Sequence, residues 1–191
     1  VTSIGNWAFS SCGGLTNLTI GSGVTNIGYK AFDGCARLTT FTVDALNCQK
    51  QIAKEIVEAD ADYVLALKGN HETTHEKIKT FLDAALIETL APRPAGVKLS
   101  KAAAALAVCE TVEKAHGRLE TRRYYQSAAL DWFADRAKWE GLRSVGMVEA
   151  IREVGNQRAV ERRYYLASLP LGVETFARAV RGHWGVENKL H

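Results

Sequence analysis

The stretch Leu38-Thr-Thr-Phe-Thr-Val-Asp44-Ala-Leu-Asn-Cys-Gln49 changes character at its middle. Everything up to Val43 copies an earlier stretch. Val1-Thr-Ser-Ile-Gly-Asn-Trp-Ala-Phe-Ser-Ser-Cys12 aligns with Val24-Thr-Asn-Ile-Gly-Tyr-Lys-Ala-Phe-Asp-Gly-Cys35 at an offset of 23 residues. Ile4/Ile27, Phe9/Phe32, Leu15/Leu38, Leu18/Phe41 and Ile20/Val43 all correspond. After Ile20 the first copy continues Gly-Ser-Gly-Val, whereas after Val43 the second gives way to Asp44-Ala-Leu-Asn-Cys-Gln. A period of this length marks units that stack through equivalent apolar positions. Each copy predicts a short strand, at residues 15–20 and 38–43. Two units fall below the roughly three that independent stacking usually needs.

The chain has 191 residues, 47% apolar and 24% charged, the balance of a globular protein. Its net charge of +3 is too mild to prove nucleic-acid binding by itself. Charge is uneven, because residues 1–43 hold only Lys30, Asp33 and Arg37. No apolar run is long enough to cross a bilayer, and no leader peptide is visible. The start at Val1 and the stop inside a helical pattern read as cuts. None of the four cysteines makes a Cys-x-x-Cys pair, which argues against a zinc knuckle or redox motif. Cys12 and Cys35 take equivalent repeat positions and read as small buried apolar groups.

To the right of the join, helix and strand patterns alternate. Residues 49–59 read as an amphipathic helix, 63–67 as a buried strand and 75–86 as a second helix, which argues a parallel α/β core. A loop at Pro92, Pro94 and Gly96 leads into an alanine-rich segment, predicted helical from 102 to about 114. Residues 116–125, 143–154 and 158–168 read as strands, the last two joined by a Gly155-Asn156 turn. Trp132 and Trp139 read as core or hinge anchors. Arg122-Arg-Tyr-Tyr125 and Arg162-Arg-Tyr-Tyr165 are near copies. On an exposed strand such a pattern suits phosphate contact with stacking on the rings. A solvated basic strand with half-buried rings reads equally well.

After Pro170 and Gly172, the chain ends Glu174-Thr-Phe-Ala-Arg-Ala-Val-Arg-Gly-His-Trp-Gly-Val-Glu-Asn-Lys-Leu-His191. Phe176, Val180, Trp184 and His191 fall near one side of a helical wheel, and Glu187 stands one turn from both His183 and His191. Zinc held by those last three residues is one local reading. The string Arg-x-His-Trp-Gly-Val-Glu-Asn-x-Leu-His resembles the signature helix of insertion-sequence DDE transposases of the ISAs type. Asp44-Ala-x-x-Cys-Gln resembles the second acidic motif of the same family, and Asp62-Tyr-Val-Leu-Ala-Leu-Lys-Gly-Asn70 its next block. Residues 1–43 resemble BspA-type leucine-rich repeats. Taken alone, Asp44 reads as a turn residue or helix N-cap. Lys68 reads as a phosphate contact or a strand-end cap.

The resemblance implies an incomplete RNase H-like transposase core over residues 44–191, with an inserted β-rich segment, behind a short leucine-rich-repeat solenoid over 1–43. It implies two metal ions, Mg2+ or Mn2+, held by a carboxylate triad of which Asp44 and Glu187 are two members. It implies DNA as partner (transposon ends and target), a homodimer when complete, no membrane, and a nucleoid-associated place in a bacterial cytoplasm. Candidate DNA contacts are Lys68, Arg118, Arg122, Arg123, Arg162, Arg163, Arg181 and His183, whose binding weakens with salt. The first triad aspartate belongs on a strand that the repeats replace, and Asp33 fills a repeat turn. The expectation is therefore a chain that cannot transpose DNA alone, with the Asp44 strand left as a bare edge. The alternative is a non-enzymatic protein-binding or adhesion module whose working surface is the repeats.

Overall fold

The 23-residue offset becomes a strand register. The structure, a computed structural model, describes residues 2–21, 23–44, 49–68, 71–115, 118–155 and 157–187. The first repeat supplies β1 (Ser3–Ile4) and β2 (Asn17–Ile20), and the second supplies β3 (Asn26–Ile27) and β4 (Thr40–Val43). β1 pairs with β3 and β2 with β4, both parallel, Asn17 opposite Thr40 and Ile20 opposite Val43. Equivalent side chains meet across the offset: the Thr19 and Thr42 hydroxyls lie 3.1 Å apart, and Phe9 stacks on Phe32 at 5.4 Å. The turns repeat as well. Trp7 and Lys30 both take left-handed backbone (φ 58° and 51°), as do Ser11 and Gly34 (59° and 71°).

No separate solenoid stands among the described residues. β4 pairs on its far side with β5 (Asp62–Leu67), again parallel, Val43 opposite Leu65. Beyond β5 the sheet continues antiparallel through β9 (Gln157–Ala167), β8 (Ser144–Val154), β7 (Arg118–Ser127) and β6 (Ala107–Ala115). One seven-stranded sheet results, in the order β2-β4-β5-β9-β8-β7-β6. The bare edge expected at the Asp44 strand is filled, because β2 pairs there and the Asp44 amide donates to the Ile20 carbonyl at 3.0 Å. The parallel core predicted from alternation is confined to β2, β4 and β5.

The alanine-rich segment is mostly strand, not helix. Only α3 (Lys101–Ala104) is helical, and β6 replaces the expected continuation to residue 114. Alanine favours helix by only tenths of a kcal/mol per residue, which long-range pairing overrides. β6 pairs with β7 from Ala107↔Gln126 to Ala115↔Arg118, and Val108, Thr111 and Val112 suit a strand.

Two helices cover one face of the sheet. α1 (Lys50–Glu58) buries Ile52, Ala53 and Ile56, and α2 (Glu72–Leu90) buries Ile78, Leu82, Ala85 and Leu86. They pack with Phe41, Val43, Tyr63, Leu65, Val145 and Met147. The same core takes in Ile20, Phe32 and Leu38, so the repeats and the rest share it. Trp139 is buried in this layer, whereas Trp132 lies at its rim, stacked on Phe81 at 4.4 Å.

The opposite face carries α4 (Val173–Glu187), which packs through Val173, Phe176, Ala177 and Val180 on Val64, Tyr124, Val148, Tyr165 and Ala167. Gly146 is required there, since a Cβ on it would lie 2.4 Å from the Phe176 ring. The turn into α4 is held by a buried polar network. The Gln126 side-chain amide donates to Ser144 Oγ (2.8 Å) and the Pro170 carbonyl (3.0 Å), and its oxygen accepts from the Gly172 amide (2.9 Å). Because buried polar groups are costly unless paired, this network holds the start of α4 to β7 and β8.

Candidate functional site

Strand alternation decides which side chains meet. On β5, Tyr63, Leu65 and Leu67 face α1 and α2, which leaves Val64 and Ala66 facing α4. Asp44, one residue past β4, Lys68, one residue past β5, and Arg163 on β9 line a small cavity on the α4 side. Thr42, Val43, Val64, Ala66, Leu67, Tyr165 and Val180 of α4 complete its wall. The cavity measures about 20 Å3, room for a single water or ion. Arg163 also binds Glu161 through Nε at 2.8 Å. A carboxylate and a lysine at the C-terminal ends of two parallel strands, with an arginine on the next strand, can orient a cation or offer two bases to a phosphate.

Thr42 is shared with a larger groove of about 460 Å3. That groove runs between α4 and the repeat strands, lined by Asn17, Thr19, Thr39, Thr40, Thr175 and Arg178. The sequence reading missed these residues. Their signal was parity: positions 17, 19, 40 and 42 alternate with the buried Ile20, Phe41 and Val43, so they share the face that bears Asp44.

The other candidates lie elsewhere. Arg122 is nearly enclosed and binds Glu120 at 2.6 Å and Glu113 at 3.6 Å. Arg123 binds Glu110 at 2.6 Å, Arg162 binds Glu149 at 2.7 Å and Asp83 at 3.2 Å, and Arg181 binds Glu113. The side chains of Arg118, His183 and Glu187, together with all of His191, lie outside the described residues. Glu187 is the last residue of α4, seven positions beyond Val180, which is two helical turns. Among the described residues no group of three His, Cys, Asp or Glu is placed to hold a metal. Cys12, Cys35 and Cys109 are free thiols, Cys35 buried.

The four tyrosines of the Arg-Arg-Tyr-Tyr pair are buried, so their rings pack and are closed to base stacking. The Tyr164 hydroxyl donates to Asp83 at 2.9 Å. Burial first, then this bond, hold its pKa well above the ordinary value of 10. A raised folded pKa gives stability that is complete below about pH 10 and lost as pH rises through the folded value. Stability is therefore expected to fall in alkali, and Tyr164→Phe to flatten that fall. Tyr124 and Tyr125, also raised by burial, keep part of the effect. Urea unfolding across the alkaline range checks it; identical pH slopes for wild type and Tyr164→Phe would contradict it.

Among the described residues no helix is long and apolar enough to cross a membrane. These features define a mixed α/β protein in which a repeat strand pair extends a larger sheet beside an acidic strand end. Residues 1–56 match the family model for the BspA type Leucine rich repeat region. "Uncharacterized protein in dhlA 3'region" of Xanthobacter autotrophicus is 41% identical over 128 residues, covering 66% of this chain and 38% of that protein. "Putative transposase YncI" of Escherichia coli O157:H7 is 32% identical over 154 residues, 78% of this chain and 36% of that protein. "H repeat-associated putative transposase YhhI" of Escherichia coli (strain K12) is 32% identical over 155 residues, 78% of this chain and 37% of that protein. The chain thus spans well under half the length of these relatives. No solved structure matches it. It is a transposase-like segment behind BspA-type leucine-rich repeats.

Proposed function

We propose that residues 44–191 descend from the C-terminal catalytic part of an RNase H-like DDE transposase, and residues 1–43 from a leucine-rich-repeat protein. The ancestral activity is DNA transposition by metal-dependent phosphodiester cleavage and strand transfer, by a homodimer acting on transposon ends and target DNA in a bacterial cytoplasm. The observation that supports it best is the cavity in which Asp44 meets α4 at Val180, two turns ahead of Glu187. Asp44 and Glu187 are the metal-binding carboxylates of this reading. Lys68 and Arg163 are its phosphate contacts, and Arg118 and His183 are further DNA contacts of the same reading. Arg163, held by Glu161, and Arg122, Arg123, Arg162 and Arg181 would have to exchange carboxylates for phosphates.

Carboxylate oxygens suit Mg2+ or Mn2+. The donor set falls short, however. Thr19 of β2 stands opposite Thr42, Gly21 follows Ile20 just past β2 where Asp44 follows Val43 past β4, and residues 1–43 hold no acid but Asp33. No reaction step is therefore assigned to this chain, and a strand-transfer assay with Mg2+ is expected to give no product. Robust activity abolished by Asp44→Ala would overturn that. Metal binding tests the site apart from activity. A Cβ on Gly21 meets nothing within 4 Å, so Gly21→Asp has room to add a carboxylate beside Asp44. It is expected to tighten Mn2+ binding at least about tenfold, ~1.4 kcal/mol, with the gain lost in Gly21→Asp/Asp44→Asn. An unchanged Mn2+ affinity measured by electron paramagnetic resonance contradicts the assignment of Asp44.

A second reading, protein binding by the repeats, is favoured by one observation. Trp7 and Tyr29 are 49% and 58% exposed on neighbouring turns, with the Lys30 ammonium over both rings. Tyr29 and Lys30 also line a cavity of about 350 Å3 between the second repeat and α1. Capture of a partner that is lost in Trp7→Ala and kept in Asp44→Ala would favour this reading.

A further inference from the structure

β6 is an outer strand of the sheet, with β7 on one side and, among the described residues, no strand on the other. Proteins blunt such edges with short strands, proline, bulges or charges, because a bare edge pairs with other chains; of these β6 has only charges, Glu110, Glu113 and Lys114, which choose a partner rather than exclude every one. β6 is nine residues long, and its register with β7 runs without interruption. It contains no proline. Val108 and Val112 are 58% and 57% exposed, on the same face as Glu110 and Lys114.

We propose that this edge pairs with a second copy of the chain, antiparallel about a two-fold axis at Val112. The charges select that register. With Val112 on the axis, Glu110, which accepts from Arg123 of β7 through one carboxylate oxygen at 2.6 Å, turns toward the partner subunit's Lys114 as well, and symmetry makes the contact twice. Opposite charges on directly opposed strand positions stabilise pairing. Moving the axis to Cys109, Glu110 or Thr111 forfeits the match, and at Glu110 sets two carboxylates face to face. The joint also covers the exposed Val112 from both copies. Two seven-stranded sheets would become one continuous sheet across the dimer. A joint of one strand pair is small among specific interfaces, so its affinity belongs in the micromolar range. The inference does not depend on the reading of Asp44.

Sedimentation velocity over a micromolar concentration series tests it, with circular dichroism to establish folding. Wild type is expected to form dimers. Glu110→Lys and Lys114→Glu each put two like-charge pairs in the joint and are expected to raise Kd at least about tenfold. Mixing the two variants sets lysine against glutamate at both contacts, so the mixture is expected to form heterodimers as tightly as wild type. That rescue separates loss of pairing from loss of fold. A monomeric wild type, variants that dimerise as wild type does, or a mixture no tighter than its components would each overturn the proposal.

Discussion

Phe176→Ala is expected to destabilise the chain by about 3–5 kcal/mol, the usual cost of emptying an aromatic site in a packed core. The ring is fully buried and rests on Gly146, with Tyr165 edge-on at 5.6 Å. A strand glycine leaves no side chain to collapse into the hole, which puts the cost toward the upper end. The effect reaches the candidate site, because Val180, one turn on, walls the Asp44 cavity. Urea unfolding measures it. A loss below about 1 kcal/mol would mean that α4 is not held by this contact. Gly146→Val, which drives a branched side chain into the same ring, is expected to destabilise by about 1–3 kcal/mol or more.

A chain begun at Asp44 is expected not to fold, and the full chain to melt in one transition. Removing residues 1–43 takes away β2 and β4, and with them the buried Ile20, Ile27, Phe32, Leu38, Phe41 and Val43. At about 1.5–3 kcal/mol for each large side chain, the loss is comparable with the whole net stability of a domain, ~5–15 kcal/mol. Tyr63 and Leu65 would also lose their neighbours on β4. Thermal melts followed by circular dichroism decide the matter. A cooperative melt of the shortened chain within a few degrees of the full one would show two independent units.

The sequence carried the repeat down to the residue. The 23-residue offset reappears as Asn17↔Thr40 and Ile20↔Val43, and β5, the β8–β9 hairpin and α4 fall where their patterns put them. What it did not carry depends on contacts between distant residues. An alanine run speaks only for its own local preference, so β6 was hidden until β7 paired with it. The edge of the Asp44 strand looked vacant because a repeat pattern does not tell which sheet its strands will join. Asp44, Lys68 and Arg163 were each visible as candidates, but their convergence needs β4, β5 and β9 side by side. Arg162 looked like a free cation because the carboxylates that hold it, Glu149 and Asp83, lie 13 and 79 positions away in the sequence, whereas Glu120, which holds Arg122, stands only two positions before it on the same strand face.

β4 belongs to two partnerships at once, answering to β2 by the repeat offset and to β5 by the position of Asp44. Slipping it by one residue would rotate Asp44 from the α4 side to the α1 side. The distance between successive repeats has thereby become a ruler for the acidic strand end. Lengthening or shortening one unit, harmless in a freestanding array, here moves a carboxylate across the sheet. Chains that share this arrangement should therefore hold the spacing between Ile20 and Val43 constant, even where the residues between them drift.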